Sequence, residues 1–104
     1  MTEFSRTYEH TPGKSFALVG DEKGGLVVDI TIEEETGEHL FRISEAVGGW
    51  RIAGWFPSED VAFKVRDELL ALTDWTFGPD AIKKIPGLRD KVMAIRDANG
   101  EDDF

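Results

Sequence analysis

The stretch LVVDITIEE, residues 26–34, decides the fold because apolar and polar side chains alternate along it. Val28, Ile30 and Ile32 fall on one side of an extended chain, and the polar residues between them fall on the other. A repeat of two residues is typical of a strand with one buried face and one solvated face. The segment therefore predicts a half-buried strand.

Similar segments before and after this strand predict its neighbours in a sheet. The predicted strands are Ser15–Gly20, Leu26–Glu34, His39–Glu45 and Trp50–Phe56. Each connection is short and contains glycine, which takes the positive φ angles of tight turns without steric cost. Short turns join antiparallel neighbours, so the pattern predicts a β-meander of three to four strands.

Beyond the last strand, the apolar repeat changes from two residues to nearly four. Ser58 is a favourable N-cap, and Glu59 and Asp60 suit the positive end of the helix dipole. The spacing predicts one long helix to about Thr73 and a C-terminal helix over Leu88–Ala98. A sheet followed by helices packed on one face is an α+β fold.

The length predicts a single α+β domain, residues 1–104. Residues 1–14 contain a turn cluster, His10–Lys14, and are expected to be a loose arm or an edge strand. Trp75 and Phe77 are expected to close the bottom of the core, and Asp80–Ile85 to form a short helical turn. Residues 101–104 are expected to be a frayed acidic tail.

Composition restricts the classes of function. The chain has 21 acidic and 12 basic residues, a net charge of −9 and no cysteine. Such a charge repels nucleic acid and favours basic protein surfaces, so direct nucleic-acid binding is not expected. The N-terminal sequence has an acid, Glu3, where a signal peptide has a basic region, and no apolar run approaches the length of a membrane span. We expect a cytoplasmic protein without membrane contact.

Candidate catalytic and metal motifs are weak. The glycine pairs precede predicted strands rather than helices, so they predict turns and not phosphate-binding loops. The segment beginning at Asp97 lacks the glycine that a calcium loop has at its sixth position, because Asp102 stands there. His10 and His39 are too few for an imidazole metal site. We therefore expect a non-enzymatic protein without catalytic residues, cofactor or metal.

The acidic residues in predicted turns are the main candidates for partner binding. They are Asp21, Glu22, Glu33, Glu34, Glu35 and Glu38. At protruding turns these carboxylates are solvated, and a catalytic pair would need a pocket that raises one pKa. We expect them to contact the basic surface of a protein partner, in one form by mimicking the phosphates of a nucleic acid in a basic groove.

Trp55 is a second candidate for partner binding. Strand alternation places Trp50, Ile52 and Phe56 on the helix face of the sheet. It places on the other face Ala53 and Trp55 with Arg42, Arg51, Ala17, Val19, Asp29 and Thr31. Tryptophan and arginine are enriched in interface hot spots, and this open face could also support a homodimer. Alternatively, the C-terminal helix or the N-terminal arm covers the face, or a bulge at Gly54 reverses the alternation.

Two further functions remain open from the sequence. Residues 80–98 carry five basic side chains against three acidic ones, so the basic C-terminal helix could belong to a small nucleic-acid-binding regulator. A small ligand-binding domain or hydrolase is the third possibility, and it requires a concave apolar pocket.

In size and charge the chain resembles the small acidic inhibitors made by bacteriophages, which include anti-CRISPR and anti-restriction proteins. The resemblance is one of composition and includes no motif. It implies an inhibitor that occupies the basic groove of a nucleic-acid-handling protein.

Overall fold

A computed structural model describes residues 2–32 and 35–101. In this part of the chain five antiparallel strands form one sheet in the sequence order β1 to β5. The strands are β1 Thr2–Thr11, β2 Lys14–Lys23, β3 Leu26–Ile32, β4 His39–Glu45 and β5 Arg51–Phe56. The helices are α1 Glu59–Leu70, α2 Pro79–Lys83 and α3 Leu88–Ala98, with a 3₁₀ turn at Trp75–Phe77. The predicted α+β class is confirmed.

β3 and β4 form the centre of the sheet in the predicted alternation. Val28 lies opposite Ile43 and Ile30 opposite Phe41, all on the face toward the helices. The main core consists of apolar side chains from both layers. They are Leu26, Val28, Ile43, Ala53, Phe56, Ala62, Val65, Leu69, Trp75, Ile82, Leu88 and Val92.

α1 begins where its cap was predicted. The Ser58 hydroxyl accepts a hydrogen bond from the Val61 N–H, and the helix ends at Leu70, three residues before the predicted end at Thr73. α3 spans the predicted residues. The capping side chain fixes the start of α1, whereas a C-terminal turn without a strong stop signal is harder to locate.

The residues after α1 only partly follow the prediction. Trp75 is buried, and its Nε1 donates to the Leu69 carbonyl oxygen at 2.7 Å. Phe77 is 68% exposed, so the prediction that it closes the core is wrong. The tight 3₁₀ turn presents one of the two rings to the core and turns the other to solvent.

The N-terminal segment is a long strand rather than a loose arm. β1 has ten residues and pairs with β2 along its length, from Thr2 opposite Glu22 to Thr11 opposite Lys14. The buried Tyr8 belongs to a second apolar cluster with Leu18, Val27 and Ala46, and Phe4 packs against this cluster. Of the two predicted alternatives, a loose arm or an edge strand, the structure therefore has the edge strand, and this strand is long.

The β1–β2 ribbon bends away from the sheet at Gly20. β2 pairs with β3 only between Gly20 and Lys23. The part of β2 that precedes Gly20 crosses, together with β1, the face of the sheet opposite the helices. There Leu18 packs with Val27 and Ala46 in the second cluster. The open face of the sequence prediction is therefore partly covered by the N-terminal residues.

The free end of this ribbon is attached to residues 46–50. Tyr8 Oη and Arg6 Nη1 both donate to the Ala46 carbonyl oxygen. His10 Nε2 donates to the Gly48 carbonyl oxygen at 2.6 Å, and its ring stacks on Trp50 with centroids 3.6 Å apart. Trp50 precedes β5 and is 48% exposed, so its predicted place in the helix-side core is wrong.

β5 has two irregularities in its pairing with β4. The two β5 residues that face Ser44 and Ile43 are separated by one residue more than Ser44 and Ile43 themselves. The two β5 residues that face Ile43 and Phe41 are also separated by one residue more than their partners on β4. Each extra residue shifts the alternation of side chains. Ala53 is therefore buried in the helix-side core, and the prediction that it lies on the opposite face with Trp55 is wrong.

The acidic tail begins with an ordered residue. The Glu101 carboxylate accepts hydrogen bonds from Arg96 Nε and from the Gly54 N–H. Glu101 is therefore not frayed, and residues 102–104 lie outside the described residues.

The bend at Gly20 predicts a strict requirement for glycine. A Cβ atom at this position would lie 2.1 Å from the Val28 carbonyl oxygen, which is backbone and cannot move aside. We expect Gly20→Ala to lower the free energy of unfolding by at least about 2 kcal/mol, measured by urea denaturation. Ser15→Ala, at an exposed position of the same strand, should change it by less than about 0.5 kcal/mol. Equal stability of the two variants would contradict the bend.

Tyr8 predicts a loss of stability at alkaline pH. Burial raises the pKa of the Tyr8 phenol above its ordinary value of 10.0, and the nearby Glu45 carboxylate adds to this effect while Arg6 opposes it. The neutral phenol is thus favoured in the folded state. Its contribution to stability is present below pH 10 and is lost as the pH rises through the raised pKa.

Tyr8 is the only tyrosine in the chain, so phenolate absorbance reports on it alone. We expect this absorbance to appear at a higher pH in the folded protein than in urea. The alkaline loss of stability should be smaller in Tyr8→Phe. A phenol that titrates at the same pH in both states would refute the prediction.

Candidate binding surface

One end of the molecule collects exposed carboxylates. The turn between β3 and β4 carries Glu35 and Glu38. The last residue of β5 pairs with Phe41, near the start of β4, so α1, which follows β5, begins at the same end of the sheet. Glu59 and Asp60 are exposed in the first turn of α1. These four residues define the acidic end. Glu33 and Glu34 belong to the same turn in the sequence but lie outside the described residues.

The other two predicted acids lie elsewhere. Asp21 and Glu22 pair with Val28 and Val27, toward the opposite end of β3. Glu22 is separated from the β3–β4 turn by about 15 Å, since a strand rises about 3.3 Å per residue. Asp21 also lies 3.7 Å from the Arg66 guanidinium. Among the described residues, the predicted acids therefore do not form one continuous row.

A groove opens beside the acidic end where β2 leaves β3. It has a volume of about 210 Å³. It is lined by Val19, Gly20, Asp21, Val28, Asp29, Ile30, Phe41, Glu59 and Phe63. Val19 is 50% exposed and Ile30 is 51% exposed. We call this the acidic groove, because three of its lining residues are carboxylates and none is a cation.

The three carboxylates of the acidic groove differ in their partners. Asp29 is buried and accepts a hydrogen bond from Arg42 Nε at 3.0 Å, while Asp21 lies beside Arg66. Glu59 forms no ion pair within the described ranges, 2–32 and 35–101. Glu59 is therefore the groove carboxylate that can accept a cation from a partner.

Of the predicted tryptophan surface, the structure brings together Trp55, Arg42 and Asp29. Trp55 is half-buried, and the Arg42 guanidinium carbon lies 5.3 Å from the centroid of its ring. Arg42 in turn holds Asp29. Arg51 does not join them, because it lines a cavity between β5 and the helices.

Sequence reasoning missed the acidic groove. Val19 and Ala17 were predicted on the Trp55 face, but Val19 lies in the groove with Ile30 and Phe63. The groove exists because the ribbon bends at Gly20, and a glycine inside a strand pattern is the one local signal that could have indicated a close backbone approach.

Within the described residues, no group of three or more histidine, aspartate or glutamate side chains is placed to hold a metal ion. None of the helices in this part of the chain has the length and apolar character needed to cross a membrane. Comparison with protein-family models, with curated proteins and with solved structures finds no match for this chain.

The exposed apolar residues of the acidic groove predict an unusual mutational pattern. Ile30→Thr and Val19→Thr should change the free energy of unfolding by less than about 0.5 kcal/mol, because both side chains are already half in water. Val28→Thr, in the same groove but buried, should cost about 1–3 kcal/mol because it buries a hydroxyl group. Urea denaturation measures all three. A large cost at Ile30 would show that the groove is part of the core.

Proposed function

We propose that this chain is a non-enzymatic cytoplasmic binding protein whose acidic end docks on the basic surface of a protein partner. The observation that carries the proposal is the juxtaposition of half-exposed Val19 and Ile30 with Glu59, an exposed carboxylate of the acidic end that forms no ion pair within the described residues. An apolar patch with charged residues beside it is the usual composition of a protein-binding surface.

Charge and apolar contact have separate parts in this proposal. The carboxylates Glu35, Glu38, Glu59 and Asp60 attract a cationic partner over a distance of about 8–10 Å in physiological salt. Once the surfaces meet, the acidic groove accepts an apolar side chain of the partner. The charge would raise the rate of association, and the groove would slow dissociation.

We further propose that the partner is a protein that handles nucleic acid. A surface that binds phosphates is lined by lysine and arginine, and it accepts carboxylates at similar positions. The function would then be inhibition by nucleic-acid mimicry, as in small phage inhibitors of the anti-CRISPR or anti-restriction type. The acidic end, rather than a row that includes Asp21 and Glu22, would occupy the basic surface.

The decisive experiment compares two charge reversals of equal size. The test variant is Glu35→Lys/Glu38→Lys, at the acidic end. The control is Glu9→Lys/Asp80→Lys, at exposed positions outside it. Each reversal adds two charges, so both variants carry −5 instead of −9. Proteins captured from a lysate by the wild type are identified, purified and titrated against each variant.

We expect the test variant to lose roughly tenfold or more in affinity and the control to lose much less. Binding to the wild type should weaken as salt increases, and Ile30→Thr should raise the dissociation rate without removing the salt dependence. Affinity that is equal for both charge variants, or that is the same at low and high salt, would refute the proposal.

A second function is favoured by the exposed cations of α2 and α3. Lys83, Arg89 and Lys91 are exposed on these helices, Lys84 is exposed directly after α2, and a regulator could place them on phosphates. A mobility shift with mixed-sequence DNA or RNA at low salt, lost in Arg89→Glu/Lys91→Glu, would support direct binding over mimicry.

A further inference from the structure

A cavity of about 580 Å³ lies between β5 and the helices α2 and α3. Its lining residues come from all three elements and from the 3₁₀ turn. The apolar lining residues are Ile52, Trp75, Ile82, Ile85, Leu88, Val92 and Met93. Trp75, Ile82, Leu88 and Val92 are buried and form its floor. The volume is within the range of small-molecule sites, about 300–1,000 Å³.

The charged residues that line this cavity are mostly cations. They are Arg51, Lys83, Arg89 and Arg96, with Asp90 as the single carboxylate. Arg96 is bound by Glu101. Arg51 and Arg89, by contrast, form no ion pair with a carboxylate in residues 2–32 or 35–101. In a chain with a net charge of −9, unpaired cations at one apolar cavity indicate a site for an anion.

The start of α3 adds to this positive potential. Gly87 lines the cavity and precedes the helix, and no side chain caps the first-turn N–H groups. The Leu88 N–H donates to the Ile85 carbonyl oxygen, and the remaining first-turn N–H groups together with the helix dipole favour an anion at this position. Lys83 also lines the cavity, and its Nζ lies 5.9 Å from the centroid of the Trp50 ring.

An added peptide strand does not fit this cavity. β5 is the edge strand beside it, but its pairing with β4 is interrupted twice, and its Gly54 N–H already donates to Glu101 at 2.9 Å. An extended peptide requires a regular row of free backbone groups. A compact ligand needs only the apolar floor and the cations at the edge.

We propose that this cavity binds an amphipathic small-molecule anion, one with a single carboxylate or phosphate group on an apolar body. The apolar body would contact the floor formed by Trp75, Leu88 and Val92, and the anionic group would contact Arg51 and Arg89. The site is separate from the acidic groove, so it does not depend on the function proposed for the acidic end.

Decanoate, decylamine and acetate serve as probes, each titrated against the full chain below micelle-forming concentrations and followed by amide and indole NMR shifts. Decanoate carries both the charge and the apolar body, decylamine reverses the charge, and acetate lacks the apolar body. We expect decanoate to shift the Trp75 indole and the amides of α3, and the other two to bind at least roughly tenfold more weakly.

Matched charge reversals test the cations. Arg51→Glu/Arg89→Glu and the control Lys14→Glu/Lys64→Glu alter exposed residues and both carry −13 instead of −9. The first should weaken decanoate binding roughly tenfold or more and the control much less, with circular dichroism confirming that both remain folded.

Several outcomes would overturn the proposal. They are equal binding of decanoate and decylamine, equal losses in the two double variants, or shifts that avoid the lining residues. Concentration-dependent self-association that displaces decanoate and is lost in Arg51→Glu/Arg89→Glu would assign the cavity to a second copy of the chain instead.

Discussion

The buried carboxylate of Glu45 fixes the part of the structure on which the position of the β1–β2 ribbon, and with it the acidic groove, depends. It accepts hydrogen bonds from the Gly48 N–H at 2.5 Å and from the Trp50 N–H at 2.9 Å. These bonds set residues 46–50 in a shape whose carbonyl oxygens accept hydrogen bonds from the β1–β2 ribbon. The ribbon can reach them only by bending at Gly20, and that bend opens the acidic groove.

The net charge of −9 conceals a separation of charge within the fold. The acidic groove lies between β2, β3 and the start of α1, and its lining includes no cation. The larger cavity lies beside β5, α2 and α3, and its charged lining is mainly cationic. Both sites have apolar side chains at their base. Each therefore combines charges of mainly one sign with an apolar surface from which a bound partner would exclude water. A ligand or partner would distinguish them by charge before it distinguishes them by shape.

Local signals in the sequence located most elements. The alternation in Leu26–Ile32, the Ser58 cap and the apolar spacing of Leu88–Ala98 each depend on neighbours a few residues away, and the structure has all three. The predictions failed where distant contacts decide. Trp50 lies outside the core, stacked on His10 of β1, and Ala53 lies on the other face than predicted because β5 pairs irregularly with β4.

By itself, the sequence determined the α+β class, the positions of four strands and of the two longer helices, and the total charge, because these follow from short-range periodicity, capping and composition. Only the tertiary structure decided which charges lie together. It placed Glu59 and Asp21 in one groove with Ile30, it placed Arg51 at the α2–α3 cavity, and it separated Glu22 from the β3–β4 turn. The reason is that a strand bend and an irregular register are set by packing between segments far apart in the chain, for which alternation along one strand carries no information.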